Sequence, residues 1–295
     1  MSVFVPVSLE DAFESLDRYP DAQLLAGGTD FMVEISFAHR RPSAVVCLRR
    51  VAELAGWRLE GAEVVLGAGI TYSELMGPQL SGLLPGLAQA ARTVGSPQIR
   101  NAGTLGGNLG TASPAGDTLP VLAALDATVV VASRQGRRSV GLDELVVGPK
   151  RTSLGPGEVI VEIRLPAALG SQEFLKVGTR NAMVIAVANV ALVVDWAGHS
   201  VRCALGSVGP AAIRAREAEQ FMTSRIDWTS RSVAGEPLAV AEFAALVRAA
   251  ARPIDDHRST ADYRRHAVGV CAQRAIERIL ADERQGASGR GAWAS

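Results

Sequence analysis

The chain has 295 residues, more than one compact core usually holds, so two or three domains are expected. Apolar residues make up 48% and charged residues 20%, which excludes intrinsic disorder over most of its length. Thirty basic residues balance thirty acidic ones, and without a basic field a nucleic-acid-binding role is excluded. The N-terminus, MSVFVPVSLEDAFESL, lacks the basic start and long apolar run of a signal peptide. The longest apolar stretch, 182–194, is interrupted by Asn189 and falls short of the roughly 20 residues that span a bilayer. No membrane span and a cytoplasmic protein are therefore expected. Cys47, Cys203 and Cys271 are widely separated and form no CxxC. They read as structural thiols, with no disulfide framework, zinc site or iron–sulfur site in this chain.

In chain order, residues 9–16 repeat apolar side chains at helical spacing (Leu9, Ala12, Phe13, Leu16), with Ser8 as N-cap and Asp11 in the first turn. A short strand at 22–26 ends in Gly27-Gly28-Thr29-Asp30. Strands at 44–48 and 63–68 follow, then a helical turn at 72–76 and an amphipathic helix at 83–94. Residues 94–126 are small, polar and rich in glycine and proline. They read as a long functional loop closing in an apolar helix at 119–125. Strands at 127–132 and 158–165 precede PAALGS (166–171), which reads as a linker. Beyond it come strands at 174–177, 183–196 and 201–208, then helices at 214–222, 240–251 and 263–283. Strands followed by helices predict an α+β second domain, and 286–295 reads as a frayed tail.

Two segments carry the chemistry. The first is LAGGTD: Leu25, Ala26, Gly27, Gly28, Thr29 and Asp30. A strand running into two glycines presents backbone N–H groups with no Cβ in the way, a nest for a phosphate oxygen, although a plain tight turn has the same sequence. The second is TLGGN: Thr104, Leu105, Gly106, Gly107 and Asn108, with Thr111, Ser113 and Asp117 behind it. Its glycines let backbone approach an anion, and a carboxylate such as Asp117 beside a phosphate loop suits a ribose diol. An irregular structural loop is the alternative there. Together the two turns could clasp the diphosphate of a dinucleotide from two sides. No G-x-G-x-x-G follows a strand and no P-loop occurs, so the expected clamp is not of the Rossmann kind. Lys176, one of two lysines, stands in an apolar strand. The four histidines read as surface or packing groups, and the Arg264-Arg265-His266 cluster reads as a solvated or subunit-facing patch.

LLAGGTDFM (24–32), RNAGTLGGNLGTASPAGDTLPVLAALDA (100–127), KVGTRNAMVIAVANVAL (176–192) and DYRRHAVGV (262–270) resemble the FAD-binding medium subunit of molybdenum hydroxylases. That family includes the flavin subunits of xanthine dehydrogenase and of aerobic carbon monoxide dehydrogenase. GTDFMVEI, KVGTRNAMVIAV and PIDDHRSTADYRRHAVGV are similar above all to the bacterial xanthine dehydrogenase branch. The resemblance implies an α+β fold: a two-part non-Rossmann FAD-binding domain of the PCMH or vanillyl-alcohol-oxidase type at 1–170, divided near 56. A smaller α+β C-terminal domain of the CO dehydrogenase flavoprotein type would occupy 171–285. The turns at 25–30 and 104–108 would hold the FAD pyrophosphate, with Thr111 and Ser113 adding hydrogen bonds. Asp117 would bind the adenosine ribose, Ile160 or Val161 would pack near the adenine, and Lys176 would sit on the flavin side.

The resemblance further implies a large partner subunit with a molybdopterin-type molybdenum cofactor and a small one with two [2Fe-2S] clusters, as a heterotrimer or a dimer of heterotrimers. NAD would be the electron acceptor, and no catalytic acid or base is expected in this chain. One branch of the family carries a cysteine-rich insertion that this chain lacks. Val94 stands where eukaryotic members place an aromatic against the flavin.

Overall fold

The computed structural model describes residues 1–39, 41–167 and 170–291, the side chains of 286–291 excepted. Its strands fall mainly into three sheets. The first is parallel, with Ala44–Cys47 between Ser2–Phe4 and Gln23–Leu25. Parallel strands need a crossover, and the helix Leu9–Arg18 supplies the one between the two outer strands. Ser8 Oγ accepts from the Asp11 N–H at 3.1 Å, and the apolar stripe Leu9, Ala12, Phe13 and Leu16 is buried.

The second sheet is antiparallel and five-stranded, in the order Trp57–Glu60, Glu63–Gly67, Val159–Pro166, Thr128–Ser133, Gly136–Gly141. Its outer strands, WRLE and GRRSVG, are largely exposed and charged, as free sheet edges require. That polarity is why the sequence pattern did not reveal them. One apolar core serves both sheets, since Phe13 and Val46 share it with Leu66 and Ile163.

The third sheet runs Ser171–Val177, Ala188–Asp195, Ser200–Gly206, Ile213–Arg214. Ala188–Asp195 is buried at every position because it is covered on both faces. Val190, Leu192 and Val194 share a second core with the helices Arg216–Arg225, Glu236–Ala250 and Ala261–Gly291. Ala191 and Val193 turn the other way, into the first core, where the helices Pro85–Thr93 and Thr118–Ala124 contribute Leu87 and Leu122. The strand expected at 183–196 is thus shorter, and 178–187 is irregular.

The expected loop before the helix at 119–125 is a correction. It folds as two short helices, Pro97–Ala102 and Leu105–Thr111, capped by the Ser96 and Thr104 side chains, and the expected apolar helix follows as Thr118–Ala124. At the other end, the last helix continues through 286–291 of the expected tail, and 292–295 lie outside the described residues, as do Ala168 and Leu169 of the expected linker. Among the described residues no helix is long and apolar enough to cross a membrane.

Candidate functional site

A cleft of about 940 Å³ opens between the first two sheets. One wall is the turn after Gln23–Leu25 and the short helix Phe31–Ser36. The other is the helix Leu105–Thr111, the Thr71–Glu74 turn and the segment 154–160. Gly28 has φ +75°, the left-handed region that glycine enters without strain, and it swings the chain from strand into helix. Gly27 is required by a close approach, since a Cβ there would sit 1.9 Å from the Ala102 carbonyl oxygen. The two glycine turns therefore touch each other and form one continuous floor.

The second turn does not work as the sequence suggests. Its N–H groups are committed inside the protein: Leu105 to Ile70 O (3.0 Å), Gly106 to Ala68 O (2.8 Å), Gly107 to Thr104 Oγ1 (3.0 Å) and Asn108 to Thr104 O (3.0 Å). Gly106 lets the helix press onto Ala68, whose Cβ and carbonyl oxygen would lie 2.7 Å from an added Cβ. Gly107, where an added Cβ would meet Thr104 Oγ1 at 2.9 Å, and Gly110, which has open space before it, both line the cleft. What this turn offers a ligand is a smooth, Cβ-free surface with the Thr104 and Asn108 side chains beside it.

Ala26, Gly27, Gly28, Thr29, Asp30, Thr104, Gly106, Gly107, Asn108, Thr111 and Ile160 line the cleft, and the structure brings these expected residues together. Five others lie elsewhere. Leu25 is outside the lining, and Leu105 points into the core with no exposure. Ser113 Oγ accepts from the Ala115 N–H (3.3 Å) in its own turn. Asp117 and Lys176 pair with each other at 2.5 Å, both nearly buried, where the third sheet meets the helices Pro85–Thr93 and Thr118–Ala124. Lys176 Nζ also donates to Thr93 O (3.2 Å), while Asp117 accepts from Thr93 Oγ1 (3.0 Å) and Asn189 Nδ2 (3.0 Å). Burial pushes the Asp117 carboxyl up from its ordinary range, against the pull of Lys176. The ribose and flavin contacts implied for these two are not what their hydrogen bonds serve here. Val161 is buried in the core, and Val94 also packs against it, away from the lining.

Several lining groups were missed. Arg49 and Lys150 are the cations among the described lining residues, and Lys150 Nζ meets Glu34 Oε1 at 2.6 Å across the mouth. Lys150 was visible as one of two lysines, in an otherwise unremarked GPK turn. Tyr72 lines the wall, and burial, with Asp117 and Asp30 nearby, raises its phenol. Glu158 takes two hydrogen bonds from Arg138 and one from the Gly155 N–H, each 2.7 Å, which hold its carboxyl down at about 2.

Elsewhere, Arg264 corrects the expectation of a solvated cluster, being 1% exposed while Arg265 and His266 are exposed. All four histidines are exposed. Cys203 and Cys271 are buried and Cys47 half-buried, all as free thiols. No metal-holding group of His, Cys, Asp and Glu occurs among the described residues.

A two-part glycine-floored cleft backed by a helix-covered antiparallel sheet defines a class, and the family comparison agrees with it. Residues 1–168 match the FAD binding domain in molybdopterin dehydrogenase, and 173–279 match the CO dehydrogenase flavoprotein C-terminal domain. The chain belongs to this family of FAD-binding medium subunits of molybdenum hydroxylases. It is similar to the carbon monoxide dehydrogenase medium chain of Hydrogenophaga pseudoflava, 34% identical over 277 residues, covering 92% of this chain and 94% of the relative. The nicotinate dehydrogenase FAD-subunit of Eubacterium barkeri is 34% identical over 231 residues, covering 74% and 78%. Among solved structures, quinoline 2-oxidoreductase from Pseudomonas putida 86 superposes with a TM-score of 0.87 at 28% identity, over 96% of this chain and 98% of that one.

Proposed function

We propose that this chain holds FAD in the cleft and passes electrons from the [2Fe-2S] clusters of a small partner subunit to NAD. A large partner would carry the molybdopterin-type cofactor and hydroxylate the substrate, in a heterotrimer or a dimer of heterotrimers. The observation that carries this reading is the shared floor of the two glycine turns, Gly27 against the Ala102 carbonyl and Gly107 facing Ala26. A Cβ-free floor admits a diphosphate at van der Waals distance, and a volume near the top of the roughly 300–1,000 Å³ range of ligand pockets suits a dinucleotide.

In this reading the segment 26–30 and the side chains of Thr104, Asn108 and Thr111 hold the diphosphate and its neighbours, and Ile160 offers an apolar face. When bound, FAD supplies the capacity to accept electrons singly and release them as a pair. This chain's residues bind and orient it and exclude water; no side chain is needed to move a proton. The three free thiols suit a reducing, cytoplasmic compartment.

For the substrate of the complex we propose xanthine, on the wording of GTDFMVEI, KVGTRNAMVIAV and PIDDHRSTADYRRHAVGV. Relatives named for carbon monoxide and nicotinate, at 34% identity each, support an alternative substrate. The test is to purify the tagged chain from its host, read its visible spectrum, and assay substrate-dependent NAD reduction. Flavin bands with one large and one small companion chain, and turnover of xanthine, are expected. A colourless chain that FAD does not reconstitute overturns the assignment, and turnover of nicotinate or carbon monoxide in place of xanthine overturns the substrate.

A further inference from the structure

The motif PIDDHRSTADYRR (253–265) takes no part in the cleft, yet it buries a charged group completely. Asp256 is its hub. Asp256 Oδ2 accepts from Arg258 Nε (3.1 Å) and Nη2 (2.6 Å), while Oδ1 accepts from the Arg258 N–H (2.8 Å) and from Arg264 Nη2. Each guanidinium also holds a backbone carbonyl. Arg258 Nη1 donates to Ala186 O (3.4 Å), and the buried Arg264 Nη1 donates to Ser207 O (2.8 Å).

Both held segments are unusual. Ala186 closes the irregular stretch 178–187, in which Met183 has φ +49° and Met183 and Ile185 stand exposed. Ser207 follows the strand Ser200–Gly206 with φ +61°, and its N–H donates to Pro114 O at 2.9 Å. Pro114 lies in the turn directly after the cleft helix Leu105–Thr111. A continuous run of hydrogen bonds thus leads from Asp256 through Arg264 and Ser207 to the segment that leaves the cleft wall.

Packing stability alone accounts poorly for this arrangement. Arg264 Nε and Ser207 Oγ are buried with no hydrogen-bond partner. An incompletely paired buried ion adds little stability, and left-handed non-glycine residues persist where the surroundings require one geometry. We infer that Asp256 is a positioning residue for the cleft: through Arg258 it fixes the 178–187 segment, and through Arg264 and Ser207 it fixes the 113–117 turn behind the cleft helix. The inference rests on the reading of the cleft as an FAD site, but the fixing of 178–187 does not.

The test uses the full chain and two readouts: the FAD dissociation constant from flavin fluorescence, and the rate of tryptic cleavage after the exposed Arg180. Asp256→Asn is compared with Glu283→Gln, which loses the ion pair with Arg231 while keeping an acceptor for Ser171, at the opposite end of the same sheet. Asp256→Asn should raise the dissociation constant about tenfold and speed cleavage after Arg180 at least about threefold, and Glu283→Gln should do neither. Arg258→Gln, which frees Ala186, should speed cleavage and change the dissociation constant less than about twofold.

If Asp256→Asn lowers the melting temperature but matches Glu283→Gln in both readouts, the inference is overturned. If Asp256→Asn does not fold, unchanged cleavage in Arg258→Gln overturns it instead. If the wild-type chain binds no FAD, the flavin reading has failed, and cleavage after Arg180 alone decides whether Asp256 fixes the segment.

Discussion

In the cleft, Thr29, Asp30, Thr104 and Asn108 stand beside glycine turns and border open volume; along the seam, Lys176, Thr93 and Asn189 on regular elements and Asp117 at a helix start close on one another. Thr93 apart, both sets lie in motifs that resemble the family, and the resemblance implies cofactor contacts for members of each. What separates them is where their partners are. Cleft side chains that cap or brace the wall still line an opening. Seam side chains already have each other, in surroundings dry enough to raise the Asp117 carboxyl. A polar residue in a binding motif is thus a binding residue only if the fold has left it something to bind.

The sharpest way to break that comparison is Lys176→Met. It strands Asp117 in a dry site with only Thr93 and Asn189 as donors, so unfolding in urea should show a loss of about 3–5 kcal/mol. Adding Asp117→Leu should recover part of it, because replacing both ions by apolar groups removes the uncompensated charge, while Asn189 and Thr93 still lose a partner. The comparison fails if Lys176→Met unfolds like wild type but no longer retains FAD; the seam would then belong to the site.

The two glycines of the floor divide along the same line. Gly27→Ala forces a Cβ against the Ala102 carbonyl, a backbone atom that cannot step aside, so it should cost about 1–3 kcal/mol and flavin retention together. Gly107→Leu meets Thr104 Oγ1 at 2.9 Å and Ala26 Cβ at 3.5 Å at the edge of the cleft. The gain in helix propensity, about 0.8 kcal/mol, should roughly offset that contact. Stability should then stay within about 1 kcal/mol while FAD affinity falls at least about tenfold. A Gly107→Leu chain that purifies fully yellow removes the second turn from the site.

The first glycine turn was legible because an apolar strand ending in Gly-Gly admits few backbones, and Leu9–Arg18 because its stripe and Ser8 cap agree. Leu105–Thr111 was not, since three glycines argue against a helix. Here the helix forms because Gly106 lets it reach Ala68, a contact 38 positions away in sequence that no local pattern records. The Lys150–Glu34 pair joins residues 116 apart, and Arg264 is buried against the Ser207 carbonyl, 57 positions away, and the Asp256 carboxylate of its own motif. The α+β architecture and half of the strands among the described residues were readable from periodicity and family likeness. The facing of individual polar side chains was not, because one motif can present adjacent residues to solvent, ligand or core.

The smallest expected effect concerns the lip of the cleft, where a polar residue serves the chain while still bordering the opening. Glu158 is held by Arg138 and the Gly155 N–H, so its carboxyl falls from an ordinary 4.5 to about 2 on folding. A depressed carboxyl contributes stability that is complete above pH 4.5 and is lost as pH falls through about 2. Arg138 is 40% exposed, so screening by solvent limits the contribution to about 1 kcal/mol. Glu158→Gln should therefore be less stable than wild type at neutral pH by about that amount, and the difference should shrink steadily below pH 4.5. Flavin affinity should change little, since the carboxylate's hydrogen bonds run to Arg138 and Gly155. A stability difference that stays constant down to the acid limit would mean that the 154–160 segment is held by its packing rather than by this ion pair. Lost flavin with unchanged stability would move Glu158 to the ligand-binding side of the comparison.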